Sequence, residues 1–287
     1  RKPDLPPPHK SYQIDLRDPL ALERLVFDHF PDVIINAAAY SSQRLMQGQD
    51  ELLVHALNVG FPARLAQLAH HISARFYHFS TDMVFSGKHA PYRTTDLPHP
   101  NTEYGRLKLE SEREVLKYGA NEATVLRITL TNGNSPGGNR SFHERLFNRL
   151  MAGETPVFYT EEIRQPGLAD NIGDLVTELC ERPNLHGIFH WAGAEALNAY
   201  EMAACVLKHF GLPENLIKKA KCADEPAQRV GDLSLILQPL ASKVKTQPPT
   251  FEQQLETLQV SESCRAWFEK NSSKKAPPKR FVKGVDF

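Results

Sequence analysis

Short, continuous apolar runs recur along the first half of the chain. The run Val33-Ile34-Ile35 and the segments 76–80 and 124–128 have the composition of strands that are buried on both faces. The first run is followed by the small residues Ala37, Ala38 and Ala39, and the second ends at Ser80-Thr81-Asp82. This pattern predicts parallel strands whose carboxyl ends meet at one edge of a sheet, where such folds bind ligands.

Amphipathic segments lie between these runs. Asp18 followed by Pro19 is a typical helix start, and Pro31 ends that helix. Two further helices are predicted over roughly 50–70 and from Tyr104 to Tyr118. The alternation of strands and helices predicts an α/β fold, a doubly wound parallel sheet of the Rossmann type.

The pattern changes after about residue 132, where the stretch NGNSPGGN (132–139) predicts a loop or a boundary. We expect a Rossmann-like cofactor domain over 1–132 and a smaller α/β lobe, mainly for substrate, over 133–260. The elements assigned to that lobe are helices near 141–151, 170–181 and 199–210 and a strand at 187–191.

Composition and charge narrow the class of protein. The chain has 287 residues, of which 41% are hydrophobic, and this is enough to bury a full core. Its formal net charge is zero, so it lacks the basic excess of a nucleic-acid binder. No apolar stretch approaches the roughly 18 residues of a membrane helix, and residues 1–10 lack a signal peptide's apolar core. A cytoplasmic protein without a membrane partner is therefore expected.

The tail 261–287 is basic near its end, with six Lys or Arg against one Asp over 270–287. It is either an interaction tail or a solvated, partly disordered terminus. The four cysteines (Cys180, Cys205, Cys222 and Cys264) are widely spaced, so they are expected to be free thiols rather than zinc ligands or disulfides. The histidines show no ligand spacing, and no metal site is expected.

Tyr104 and Lys108 carry the candidate chemistry. They are four residues apart on a predicted helix, so both side chains lie on one face. A nearby ammonium would favour the phenolate and lower the tyrosine pKa, and Tyr104 could then protonate a ketone oxygen as hydride arrives at carbon. Thr81, at the end of a strand, could donate a hydrogen bond to the same oxygen. A surface tyrosine beside a solvated lysine is the alternative.

Three segments carry a family resemblance. FSTDMVFSG (79–87), Pro91-Tyr92 and NTEYGRLKLESE (101–112) resemble the extended short-chain dehydrogenases/reductases, and more narrowly the dTDP-4-dehydrorhamnose reductase family, with its S-T-D-Y-V-F-D-G, P-Y and Y-G-x-x-K motifs. The similarity extends over about residues 12–260 and includes Leu126-Arg127.

The resemblance implies a role for each matching residue. Tyr104 would be the general acid, Lys108 would tune it and hold the nicotinamide ribose of NADPH or NADH, and Thr81 would orient the carbonyl. The remaining cofactor-binding positions would be Asp15, Leu16, Ala37, Ala38, Ala39 and Asn58, and the substrate-binding positions Asp82, Met83, Leu130 and Arg229. Asp15 is equally well explained as a turn residue beside a helix, and Asn58 as a structural tie between a helix and a strand.

One departure from the family lies at the start of the chain. The family opens with a strand and a G-x-x-G-x-x-G turn that binds the pyrophosphate, and nothing before Asp15 supplies them. Either the chain is part of a longer protein or the protein has lost this first β-α unit. We favour the first, because the loss would expose the edge and a face of the sheet. As written, the chain is expected to bind cofactor poorly.

A second departure concerns the substrate. Met83 replaces the family's tyrosine, Leu130 replaces a tryptophan, and an expected Arg-Pro pair is reduced to Arg229-Val230. Apolar side chains at two positions that face the sugar nucleotide in relatives should change what the pocket prefers. Met83 also argues against the related dehydratases, which have a glutamate base there.

The segments 187–193 and 200–203 are also similar to the regulatory beta subunit of methionine adenosyltransferase, a non-catalytic member of the same superfamily. Two main functions therefore remain open, beside an epimerase or a reductase of another ketone. The first is an NAD(P)H-dependent reductase of a nucleotide-linked 4-keto sugar. The second is a regulatory or scaffold subunit. The partners expected are a nucleotide-sugar substrate and either a second copy of the chain or a larger catalytic subunit.

Overall fold

The computed structural model describes residues 9–41, 46, 48–221 and 231–272, and the backbone of 281–282. Helices and strands alternate through its first half: α1 Pro19–His29, β1 Val33–Asn36, α2 Glu51–His55, α3 Phe61–His71, β2 Arg75–Thr81, α4 Glu103–Gly119 and β3 Ala123–Ile128. A π-helical turn, Ala56–Gly60, joins α2 to α3. The three predicted strands and three predicted helices of this half are confirmed, the helix over 50–70 as α2, the turn and α3.

The first helix begins as its sequence predicts. The Asp18 carboxylate accepts hydrogen bonds from the backbone N–H groups of Leu20 and Ala21, at 2.9 and 3.2 Å, and Pro19 occupies the first helical position, where a missing N–H costs nothing. The helix ends when Phe30 turns into the left-handed region, with φ of 40°, directly before Pro31.

The second half is built from shorter elements. They are β4 Thr131–Asn132, α5 Phe142–Met151, β5 Val157–Tyr159, β6 Ile163–Arg164, β7 Gly167–Leu168, α6 Ala169–Cys180, β8 Gly187–Trp191, β9 Leu197–Asn198, α7 Ala199–His209, β10 Lys218–Ala220, α8 Phe251–Thr257, β11 Val260–Ser261, α9 Arg265–Asn271 and β12 Phe281–Val282. The helices predicted near 141–151, 170–181 and 199–210 correspond to α5, α6 and α7.

The central sheet has four parallel strands in the order β1-β2-β3-β8. The predicted fold class, a Rossmann-like parallel sheet with helices, is therefore confirmed. The assignment of 170–181 and 187–191 to the second lobe was wrong. β8 pairs with β3 along its whole length, and α6 packs its buried Leu175 and Leu179 against the sheet. A strand with no exposed face needs a sheet neighbour, and among the described residues the central sheet offers one of this length.

Two apolar layers cover the central sheet. One contains side chains of α1, α3 and α4, including Val26, Leu65 and Val115, and the other contains α6 together with Trp191 of β8. A separate apolar cluster joins α5, α7, α8 and α9 around Phe147 and Phe268. No helix within the described ranges combines the length and apolar character needed to cross a membrane.

Candidate active site

The carboxyl ends of β1 and β2 bring two predicted segments to one edge of the sheet. The parallel register pairs Asn36 with His78, so β1 ends beside the final residues of β2. Ala37 and Ala38, directly after β1, are exposed, and Ala39 is partly buried. Small exposed side chains leave room for a ligand to lie against the backbone.

Thr81 is the last residue of β2, and its hydroxyl organises the turn that follows, Asp82–Val84. The hydroxyl accepts a hydrogen bond from the Met83 N–H at 3.2 Å and donates one to the Asp82 carboxylate at 3.1 Å. Its proton is therefore directed at Asp82. To donate to a substrate carbonyl, the Thr81 hydroxyl must first rotate away from that carboxylate.

Asp82 has no exposed surface and lies in an ion pair with Arg164 of β6. The arginine Nη2 and Nε atoms lie 2.8 and 3.1 Å from Oδ2. Burial raises the pKa of Asp82, and the arginine charge opposes that shift. The carboxylate expected to contact substrate instead ties the turn after β2 to the second half of the chain, and Arg164 was missed by the sequence prediction.

Tyr104 lies in the first turn of α4, which packs directly on the turn after β2. A Cβ added to Gly105 would lie 2.2 Å from the Met83 carbonyl oxygen, so only glycine permits this approach. The Tyr104 side chain is partly buried, and its hydroxyl makes no hydrogen bond to another described residue. Burial and the negative charge of Asp82 raise its pKa to about 12.

Lys108 is buried, with 2% of its surface exposed, and its Nζ lies 3.1 Å from His78 Nε2. Burial lowers its pKa to about 8, against an opposing effect of the Glu112 charge. The expectation that an ammonium lowers the Tyr104 pKa is thus corrected: burial and Asp82 dominate the phenol and raise its pKa. A tyrosine with a raised pKa remains protonated at neutral pH, as a general acid must.

A buried ion pair lies below Lys108. Glu112 of α4 and Arg127 of β3 each expose only 2% of their side chains, and the arginine Nη2 and Nε atoms lie 2.7 and 2.9 Å from the carboxylate. Ser80 also donates to Glu112, and the guanidinium lies over the Phe85 ring at 5.1 Å. This network joins α4 to β2 and β3 and so fixes the helix that carries Tyr104 and Lys108.

Three further predicted cofactor residues lie in different surroundings. Asp15 lies in an exposed turn before α1, where hydrogen bonds from the Arg17 side chain and backbone lower its pKa to about 2. Leu16 packs its side chain into the core. Asn58 is fully buried, and its amide bonds both the N–H and the carbonyl of Tyr40, at 2.8 and 3.2 Å. Asn58 therefore holds the loop after β1 and has no surface for a ligand.

The remaining predicted substrate residues lie in different parts of the chain. Met83 is partly buried and packs against the apolar cluster around Phe85 and Tyr92, and Leu130 follows β3 and packs against the core of the second half. Arg229, like Cys222, lies outside the described residues. Cys180, Cys205 and Cys264 are free thiols. In the described part of the chain, no three His, Cys, Asp or Glu side chains form a group that could hold a metal ion.

Tyr104 and Lys108 fit part of a dinucleotide, namely its nicotinamide end. A partly buried phenol without a described hydrogen-bond partner and a buried amine one turn later provide the donors that a ribose and a carbonyl oxygen need. Sequence reasoning missed His78 and Arg164. A histidine inside the apolar strand β2 was a readable signal, whereas Arg164 lies 82 residues from Asp82 and has no local signal.

The chain is similar in sequence to several known proteins. A family model described as the RmlD substrate binding domain matches residues 4–263. Methionine adenosyltransferase 2 subunit beta of Xenopus laevis is 32% identical over 218 residues, covering 74% of this chain but only 64% of the relative's length. The probable low-salt glycan biosynthesis reductase Agl14 of Haloferax volcanii is 28% identical over 257 residues, covering 87% of this chain and 84% of that protein.

The fold is shared with a solved reductase. The crystal structure of dTDP-4-dehydrorhamnose reductase from Bacillus anthracis in complex with NADP superposes with a TM-score of 0.76 at 19% identity, covering 85% of each chain. At this identity the likeness shows the fold.

Proposed function

Because the chain belongs to the RmlD substrate binding domain family, we propose that it is an NAD(P)H-dependent reductase of the ketone of a nucleotide-linked 4-keto sugar. One observation carries the proposal. The Tyr104 hydroxyl, without a hydrogen bond to another described residue, lies one helical turn from the buried Lys108, and its helix packs directly on the turn that follows Thr81. The reductase names of Agl14 and of the Bacillus anthracis structure support the same class.

A bound nicotinamide cofactor would supply the hydride. Tyr104 donates its proton to the carbonyl oxygen as negative charge develops there. Its pKa of about 12 ensures that the proton is present at neutral pH. Lys108, with a pKa of about 8, can take up or release a proton near neutral pH and would hold the ribose of that cofactor. Thr81 stabilises the same oxygen after its hydroxyl turns away from Asp82.

The small residues after β1, Ala37, Ala38 and Ala39, would line the path of the cofactor. The substrate side is formed by Met83 and Leu130, and because both are apolar, the sugar is held by fewer polar contacts than a tyrosine and a tryptophan would provide. Arg229 stays a proposed substrate-binding residue. Asp82 acts indirectly, since its carboxylate is occupied by Arg164.

Tyr104→Phe in the full-length protein tests the proposal. Turnover with a dTDP-4-keto sugar and NADPH or NADH should fall roughly 100-fold or more, because the general acid is lost, while nucleotide affinity stays nearly unchanged. Tyr118→Phe is the matched control, since Tyr118 is on the same helix and 36% exposed. Unchanged turnover in Tyr104→Phe would remove this tyrosine from the mechanism.

A second candidate function is a regulatory subunit. The 32% identity to methionine adenosyltransferase 2 subunit beta of Xenopus laevis favours it, as do the apolar residues Met83 and Leu130 in the substrate positions. Co-purification with a methionine adenosyltransferase catalytic subunit would support this role. A clean monomer or a self-dimer in the presence of that subunit would count against it.

A further inference from the structure

His78 is a buried histidine that the proposed reaction does not use. It occupies the middle of β2 and has no exposed surface. One ring nitrogen, Nδ1, lies 3.1 Å from Asn36 Nδ2. The other, Nε2, lies 3.1 Å from both Lys108 Nζ and Ser111 Oγ. A polar ring in this position must satisfy both nitrogens within the protein.

The backbone of the loop after β1 determines how Asn36 is oriented. The Ala38 N–H can only donate, and it lies 2.9 Å from Asn36 Oδ1. The amide oxygen is therefore used by Ala38, and the Asn36 NH₂ group faces the histidine. Since an amide NH₂ group only donates, His78 Nδ1 must be the acceptor and carries no proton.

The proton of the neutral ring must then lie on Nε2. Burial, with a further contribution from the Lys108 charge, lowers the pKa of His78 well below its ordinary value, so the ring is neutral with one N–H. That N–H points at Lys108 and Ser111. A lysine ammonium has three donors and no acceptor, whereas a neutral amine has a lone pair that can accept. The ammonium form of Lys108 therefore opposes the ring N–H, whereas the amine form can accept from it alongside the Ser111 hydroxyl.

We propose that His78, held by Asn36 in the tautomer with the proton on Nε2, is a positioning residue that fixes Lys108 Nζ and favours its neutral amine over its ammonium form. The catalytic consequence rests on the proposed reductase function: Lys108, one helical turn from Tyr104, can then take up or release a proton near neutral pH. The same hydrogen bonds connect Lys108 to the Ala38 backbone in the loop proposed to line the cofactor's path.

Other charged groups near Lys108 are already paired. On its own helix, Glu112 is bound by Arg127 of β3, and Tyr104 is neutral with its pKa raised. At the end of β2, Asp82 is bound by Arg164. His190 of β8 faces Arg127 at 3.4 Å and lies beyond the Glu112 pair. β1 contributes Asn36, which is uncharged. The Glu112 charge favours the ammonium form of Lys108, whereas burial opposes that form. In this proposal His78 opposes it as well.

Asn36→Asp is the decisive substitution because it reverses the polarity with almost no change of shape. One carboxylate oxygen still accepts from the Ala38 N–H, and the other now accepts from Nδ1–H. The ring proton therefore moves to Nδ1, and Nε2 becomes an acceptor for the Lys108 ammonium. We expect the Lys108 pKa to rise by about one unit or more. The ¹³Cε chemical shift of labelled lysine reports that pKa, and long-range ¹⁵N–¹H spectra report the tautomer.

A double variant separates the tautomer from the added charge. When His78 is replaced by leucine, the carboxylate introduced by Asn36→Asp acts on Lys108 only through space. It should then raise the Lys108 pKa clearly less than it does in the protein that retains His78. His78→Gln provides a second route, since its amide oxygen can accept from the ammonium and should also raise the pKa. Equal shifts with and without the ring, no rise in His78→Gln, or a wild-type proton on Nδ1 would each overturn the proposal.

These spectra need no substrate and no turnover. If Tyr104→Phe retains full turnover while the tautomer and the Lys108 shifts are as expected, the reductase mechanism fails and the hydrogen-bond arrangement stands. If the tautomer is wrong while Tyr104→Phe is inactive, the reverse holds.

Discussion

Replacing the buried Lys108 by methionine should stabilise the fold at pH 7. The residue is 2% exposed, and its pKa falls from 10.5 to about 8 mainly because burial disfavours the charge. At about 1.4 kcal/mol per pKa unit, this difference corresponds to roughly 3 kcal/mol of destabilisation below pH 8. Methionine has similar length and carries no charge, so it should remove most of this destabilisation. The expected net gain is roughly 2 kcal/mol.

The stability gain of Lys108→Met should depend on pH. Between about pH 8 and 10.5 the unfolded lysine is protonated and the folded one is not, so the wild-type chain gains stability as pH rises through this range. The advantage of Lys108→Met should therefore shrink from pH 8 to 10.5. Urea unfolding at several pH values measures both effects, with the free energy of unfolding compared at each pH.

Lys117→Met is the matched control. Lys117 is on the same helix, but its side chain is 59% exposed, so its removal should show neither the gain at pH 7 nor the loss of that gain above pH 8. If Lys108→Met were less stable than wild type at pH 7, or its advantage were independent of pH, the assignment of a destabilising buried amine would be refuted.

Gly105→Ala should abolish turnover, because the added Cβ would lie 2.2 Å from a carbonyl oxygen of the turn after β2. Gly60→Ala is the control and should be active, because its Cβ would meet nothing within 4 Å. Equal activity of both variants in a turnover assay would contradict this packing. Arg127→Met should cost about 3–5 kcal/mol in urea unfolding by leaving the Glu112 carboxylate buried without its cation, and adding Glu112→Leu should recover most of that loss; a double variant no more stable than the single one would argue against it. Partial burial raises the pKa of Glu178, but hydrogen bonds, chiefly from two backbone N–H groups, lower it to about 2 overall, so the stability it provides above pH 4.5 is lost as the pH falls toward 2. The difference in unfolding free energy between wild type and Glu178→Gln should shrink over that range, and a constant difference would refute this linkage.

The elements of the sheet were predictable because each is recorded locally. A buried parallel strand needs a continuous apolar run, and α1 needs a cap such as Asp18. The placement of β8 was not predictable in the same way. Its five residues read as a strand, but nothing within them states which sheet they join. That choice depends on the crossover through α6 and on which strand edge remains open after β3.

The site was predictable to the extent that its residues are close in sequence. Tyr104 and Lys108 share a helix, so their spacing alone placed them on one face. The electrostatics depend on distant residues. Asp82 is paired with Arg164, which comes from β6, and Lys108 meets His78 of β2. The direction of the Tyr104 pKa was therefore predicted wrongly, because the burial and charges that set it come from other elements.

The energetics of Lys108 bear on the choice between the two candidate functions. A scaffold that uses only its outer surface gains nothing from an amine that is buried under a helix and lowers stability by roughly 3 kcal/mol at neutral pH. Methionine or leucine would pack there without that loss. A reductase would gain, because an amine with a pKa of about 8, one helical turn from Tyr104, can take up and release protons near neutral pH. The buried amine therefore favours chemistry at this site, and a chain that turned over equally well with Lys108→Met would remove that support.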